Sequence, residues 1–204
     1  MAVAGRRDTI AAMKVAAFNT SSRADGNTAI LLRRVLAELE AEGIETELVQ
    51  LAGTRLSGCT ACLTCAETRD NRCHGVKDDG VNDCIAAMLA ADGILLGTPV
   101  YFGDATATMR ALIERVGYAT RKSGNPLARK VGAAVIAVRR GGAMHAFDSV
   151  NHFFQIAEMV VVGSTYWNFG IGAEIGAVED DAEGLQTMSD LGRNMAWVLK
   201  KLNA

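Results

Sequence analysis

The sequence predicts an α/β domain: a three-layer sandwich around one doubly wound, five-stranded parallel sheet in the order 2-1-3-4-5. Three observations carry that expectation. Strand-like and helix-like segments alternate from end to end and give five βα units. No repeat or linker divides them, and 204 residues, half of them hydrophobic, suit one large domain better than two small ones. Five strands favour this order over a six-stranded arrangement.

Lys14 to Phe18 is a short apolar run that predicts the first strand and ends in the polar loop Asn19 to Gly26. Leu31, Leu32, Val35, Leu36 and Leu39 recur at helical spacing, and that helix ends near Gly43. Ile44 to Leu51 alternates as a second strand does. A cysteine-rich segment follows, and then a helix over Val81 to Ala91 that opens after Asp78, Asp79 and Gly80. Gly93 to Gly97 reads as a buried third strand, stopped by Thr98 and Pro99. Ala105 to Tyr118 is helical, with Met109, Leu112, Ile113 and Val116 facing inward.

Val131 to Val138 is the most strand-like run of the chain. Met144 to Glu158 returns to helix, and Met159 to Val162 to a fifth strand. The last helix runs from about Glu183, capped by Asp180 or Asp181, with Leu185, Met188, Leu191, Met195, Val198 and Leu199 on its apolar face. Residues 1–12 read as a tail ahead of a single domain at 13–204.

Composition narrows the function classes. A formal charge of −2 leaves no basic footprint for nucleic acid. No apolar run reaches the roughly 18 residues that span a bilayer. The first dozen residues hold no apolar signal core, so the expected location is the cytoplasm. Five cysteines is an odd number, and four of them crowd into residues 59–73. That pattern points to metal or redox chemistry rather than to a disulfide framework.

In doubly wound sheets, ligands bind outside the carboxyl ends of the strands, near the switch point between the first and third. Three loops are marked by that rule. The first, Thr20-Ser-Ser-Arg-Ala-Asp-Gly-Asn-Thr28, has no GxGxxG but offers hydroxyls and an Asn-Thr pair at a helix start. Hydroxyl donors, free N–H groups and a helix dipole suit a phosphate monoester, and Arg23 can add a charge-assisted contact. The plainer reading is a loop with an N-cap at Asp25, Asn27 or Thr28.

The second loop, Gly97-Thr-Pro-Val-Tyr-Phe-Gly103, combines a rigid turn at Pro99, an apolar wall for a flat ring and a glycine that admits close backbone approach. Its plain alternative is a strand end that packs an aromatic into the core. The third, Val138-Arg-Arg-Gly-Gly142, places Arg139, Arg140, Gly141 and Gly142 at the same edge. A cation there would stabilise negative charge on a reduced ring, although single arginines are more commonly solvated.

These loops resemble the NADPH-dependent FMN reductase branch of the flavodoxin-like flavoproteins. Residues 20–28 are similar to its G-S-P-R-x-x-G-N-T phosphate loop, with Thr20 for the Gly and Ser22 for the Pro. Gly97-Thr-Pro-Val-Tyr101 resembles its G-[ST]-P-V-Y flavin loop, and the likeness covers Met13 to about Asn203. It implies a flavodoxin-like fold and bound FMN, with Ser21, Arg23, Asn27 and Thr28 on the phosphate. Pro99, Val100, Tyr101, Phe102 and Gly103 are implied at the isoalloxazine; Arg139, Gly141 and Gly142 are candidates beside it on the third loop's own chemistry. It also implies NAD(P)H as co-substrate and a homodimer or homotetramer, because flavin sites in this family are often completed by a neighbouring subunit.

Gly163-Ser-Thr-Tyr-Trp-Asn168 is similar to members with a compact cysteine motif. The iron–sulfur flavoprotein subgroup carries C-x2-C-x2-C and a fourth Cys, which Cys59, Cys62, Cys65 and Cys73 match, with Asp78 and Asp79 following. The gap before Cys73 is at the long end of that pattern. A [4Fe–4S] cluster, a structural zinc ion, a redox-active disulfide and free thiols all remain open. Cys84 reads as a packed small residue.

The expected function is an FMN-dependent oxidoreductase passing electrons from NAD(P)H through FMN to an acceptor, whether flavin, quinone or redox protein. No acid or base side chain is obligatory for that step, so no catalytic residue is named. The alternatives are an iron–sulfur electron-transfer protein without small-molecule turnover, and a scaffold that has lost its cofactor.

Overall fold

A computed structural model describes residues 13–203, so the twelve-residue leader expected ahead of the domain lies outside the described residues. The chain runs β1 (Lys14–Asn19), α1 (Asn27–Ala41), β2 (Glu45–Gln50), a short α2 (Thr64–Thr68), α3 (Val81–Ala90), β3 (Gly93–Pro99) and α4 (Ala107–Lys122). It continues through β4 (Val131–Val138), α5 (Ala143–Ile156), β5 (Val160–Val161), β6 (Phe169–Ile171), a 3-10 turn at Ala177–Asp180 and α6 (Ala182–Leu202). The strands are parallel, in the order β2-β1-β3-β4-β5.

Alternate residues of each central strand serve opposite layers, as the period of two requires. Phe18, Leu96 and Ile136 pack with α3, α4 and α5, whereas Val15, Leu95 and Val135 pack with α1 and α6. Every residue of β4 is buried, which is why it reads as a continuous apolar run. At the end of β3, a Cβ on Gly97 would lie 2.5 Å from Leu32. Glycine there lets α1 press against the strand and fixes where that helix begins.

The fifth strand position departs from the expected single segment over Met159–Val162. It is filled by two pieces, β5 beside Val131–Gly132 and β6 beside Ile136–Val138. Between them the chain leaves the ladder after Val162, whose N–H donates to Gly132, and returns at Asn168, whose carbonyl accepts from Ile136. The Ser164 hydroxyl lies 2.6 Å from both the Tyr166 carbonyl and Asn168 Oδ1, which closes this excursion on itself. Tyr166 and Trp167 stand half-exposed at its tip, edge to face at 4.5 Å.

Candidate functional site

The loops marked by the sheet rule meet at one edge. Register sets Asn19 beside both Gln50 and Gly97, so β1 and β2 end level and β3 runs two residues further, to Pro99. Asn19 is fully buried, and its amide organises the first loop. It donates to Gln50 Oε1 at 2.8 Å and to the Arg23 and Ala24 carbonyls, and accepts from the Ser21 N–H. Gln50 donates in turn to the Ala24 carbonyl at 2.8 Å. Thr20 ties the loop to β3 through the Gly97 carbonyl and to the start of α4 through Thr106.

The expected phosphate contacts divide in kind. Helix α1 begins after Gly26 with no side-chain cap, so the first-turn N–H groups have no such acceptor. Thr28 is buried, and its hydroxyl finds no partner among the described residues. Ser21 Oγ accepts from the Arg23 N–H at 3.1 Å and keeps its own proton to donate. Arg23 is exposed. The Asn27 side chain is committed elsewhere: it donates to the Gly172 and Glu174 carbonyls and accepts from the Gly176 N–H at 2.8 Å. Its side chain therefore fastens the loop after β6, and what it offers an anion is its backbone N–H.

The second loop folds into a tight turn. Tyr101 and Asp104 exchange backbone hydrogen bonds, with Phe102 at φ 49° and Gly103 at φ 84° between them. Phe102 is a bulky residue in the left-handed region and entirely exposed, so the fold holds an aromatic ring out at the edge of the site. The third loop closes against this turn. Gly142 has φ 90°, and a Cβ there would come within 2.9 Å of Gly103 Cα and Val100 Cγ1, so only glycine fits. Arg139, Arg140 and Gly141 remain exposed.

The cysteine segment docks on α4 and α3. Cys59 N–H donates to Glu114 at 3.0 Å, and Asn71 N–H to Ser123. Asn82 on α3 grips Cys73 from both sides, accepting its N–H at 2.8 Å and donating to its carbonyl at 3.0 Å. Of nine described non-glycine residues with positive φ, five lie in this segment: Ala61, Leu63, Arg69, Asn71 and Asp78. Such tight wrapping brings Cys59, Cys62, Cys65 and Cys73 to line one recess with Arg115 and Tyr118.

Electrostatics inside the recess are uneven. The N–H and hydroxyl of Thr64 pull the Cys62 thiol below its usual range. Burial pushes Cys65 up, and the neighbouring Cys62, Cys73 and Cys59 push it further, as expected for clustered thiols. Among the described residues, no three Cys, His, Asp or Glu side chains converge on a point where one metal ion could sit. Cys84 lies in the core, its thiol pushed up to about 11 mainly by burial, and is a packing residue.

The NADPH-dependent FMN reductase family matches residues 13–174. The chain belongs to that family. An iron–sulfur flavoprotein of Methanocaldococcus jannaschii is 37% identical, covering 92% of this chain and 98% of its own length. Another, from Methanosarcina thermophila, is 32% identical over 92% of this chain and 96% of its own. Among solved structures, RosB superposes with a TM-score of 0.69 at 18% identity, covering 94% of this chain and 80% of that one. A flavodoxin from the domain Archaea does so at 0.59 and 13%, covering 92% and 99%. The fold is flavodoxin-like, and the family makes this a flavin-binding oxidoreductase.

An FMN reductase needs a cradle for a phosphate monoester, and the residues present fit one. An orphaned buried hydroxyl at Thr28 and uncapped N–H groups at the start of α1 are donors awaiting an anion. The donor set of the recess, four thiols on one strained loop, likewise fits iron–sulfur ligation. Sequence reasoning missed the residues behind these groups. Asn19 read only as the first residue of a polar loop, and Gln50 only as a residue inside the second strand. Arg115 did give one: it shares the inward stripe with Leu112, Val116 and Ala119, where a charge requires a buried partner.

Proposed function

We propose that this chain holds FMN at the carboxyl edge of its sheet and a [4Fe–4S] cluster on Cys59, Cys62, Cys65 and Cys73. In this reading it passes electrons from NAD(P)H to an acceptor, whether a flavin, a quinone or a redox protein. The observation that carries the proposal is the lining of one recess by all four cysteines on a chain of the FMN reductase family. Both relatives described above are named iron–sulfur flavoproteins, which supports the same reading.

A structural zinc ion is the second reading: it would need sulfurs about 3.8 Å apart around one tetrahedral centre, with Zn–S bonds near 2.3 Å. A cluster gives each thiolate its own iron and spreads the four sulfurs around a larger body. When bound, FMN and the cluster would supply the electron chemistry, the flavin handling two electrons and the cluster one.

The protein's own residues bind and orient. Ser21, Thr28, Arg23 and the N–H groups opening α1 would take the phosphate, while Pro99 to Gly103 and Gly141–Gly142 would flank the ring. Arg139, exposed after β4, would offset negative charge that the bound ring gains on reduction. Steady-state oxidation of NADH and NADPH by the FMN-loaded, iron-loaded protein tests the enzymatic half. Turnover with a flavin, quinone or ferredoxin-type acceptor is expected. No oxidation with any of them would leave a carrier of electrons between proteins instead.

A further inference from the structure

Arg115 heads the fully buried side chains in size among the described residues. Its guanidinium forms an ion pair with Asp79, donates to the Val76 carbonyl at 3.0 Å, and donates from Nε to Cys73 Sγ at 3.2 Å. Its neighbours on the inward face of α4, Leu112, Val116 and Ala119, are apolar and buried. A methionine or leucine would fill the same space without desolvating a charge. Burying an ion pair in place of such packing rarely adds stability. The cation is better explained by what it does to the sulfur it touches.

We propose that Arg115 is a positioning residue for the fourth cysteine and raises the reduction potential of the cluster held there. The inference rests on the four cysteines being cluster ligands. One-electron reduction adds one negative charge to the cluster and its thiolates. A guanidinium N–H on the Cys73 sulfur stabilises that added charge and so favours the reduced form. Asp79 acts in the opposite sense. Its carboxylate aims the guanidinium but also cancels part of its field, so the pair sets the potential by difference. Cys59, Cys62 and Cys65 meet no guanidinium among the described residues, which makes the Cys73 corner electrostatically distinct.

Two variants of opposite predicted sign test this: Arg115→Met removes the cation and its N–H donors, and Asp79→Asn removes the counter-charge. Wild-type and variant holoproteins are titrated anaerobically with dithionite, following the cluster by electron paramagnetic resonance and absorbance. Iron and FMN are counted in each. R115M is expected to shift the one-electron equilibrium at least tenfold toward the oxidised cluster, about 59 mV lower, and D79N to shift it upward. FMN content stays unchanged in both.

A role confined to holding the loop would cost iron or stability in both variants and leave the potential of the remaining cluster unmoved. That result, or shifts of one sign in both, overturns the proposal. Where R115M fails to fold or assemble, D79N decides, and an unchanged or lowered potential there overturns it. Wild-type protein without iron would overturn the cluster reading and this inference together. An unmoved potential in iron-loaded protein overturns this inference alone.

Discussion

Thr28 is buried while its hydroxyl has no partner, and Phe102 adopts a left-handed backbone while its ring touches solvent on every side. Each is a local cost in the protein by itself, and each becomes intelligible beside a flavin phosphate or ring. Thr28→Val keeps the shape and removes the orphaned hydroxyl. We expect unchanged or slightly higher thermal stability of the FMN-free protein and about tenfold weaker FMN binding, equivalent to about 1.4 kcal/mol. Thermal unfolding and flavin fluorescence titration read the two effects separately. Phe102→Gly relieves the backbone at a residue that packs on nothing. Denaturant unfolding of the FMN-free protein should show a gain of about 1 kcal/mol, while FMN affinity falls.

At the scale of elements, the strands and long helices were legible because their burial is regular. Residues 131–138 read as one strand because both faces are covered, and α6 follows its apolar stripe from an Asp181 cap that accepts the Gly184 N–H at 3.0 Å. Residues 169–171 gave no such signal, because a three-residue strand with mixed burial has no period to recognise. The five-residue helix α2 was equally silent, since it opens and closes on left-handed Leu63 and Arg69. Within the candidate site, loop chemistry was readable from 20–28 and 97–103, but the commitment of Asn27 to the 172–176 loop was not. A contact spanning 145 residues leaves no local trace.

The cysteine segment allows an element-scale prediction of its own. Among the described residues Asn82 supplies both bonds to the Cys73 backbone, and it stands on α3, outside the 20–28, 97–103 and 138–142 loops. Asn82→Ala should lower iron content per chain at least twofold after anaerobic desalting, with FMN content and Kd unchanged. Parallel loss of both cofactors would mean that the segment is not an independent unit.

Across the whole molecule, α4 joins the two candidate sites. Its cap, Thr106, accepts the Met109 N–H and bonds to Thr20 at the base of the 20–28 loop, while Glu114 and Arg115 hold the cysteine segment. Nine residues separate Thr106 from Arg115, about 14 Å along a helix. One helix thus fixes the separation of the candidate site at the sheet edge from the recess that Arg115 lines. The sequence carried both ends of this arrangement as loop motifs. It did not carry the beam between them, because Arg115 sits in a helix whose other inward residues are ordinary core.

Whether one chain carries both FMN and a four-iron cluster is read directly by chemical analysis of protein purified anaerobically, together with its absorption spectrum. We predict about one FMN and about four irons with matching acid-labile sulfide per chain, and a broad shoulder beyond the flavin bands that bleaches with dithionite. Flavin bands alone with no iron, or one zinc ion per chain in place of iron, would contradict the account.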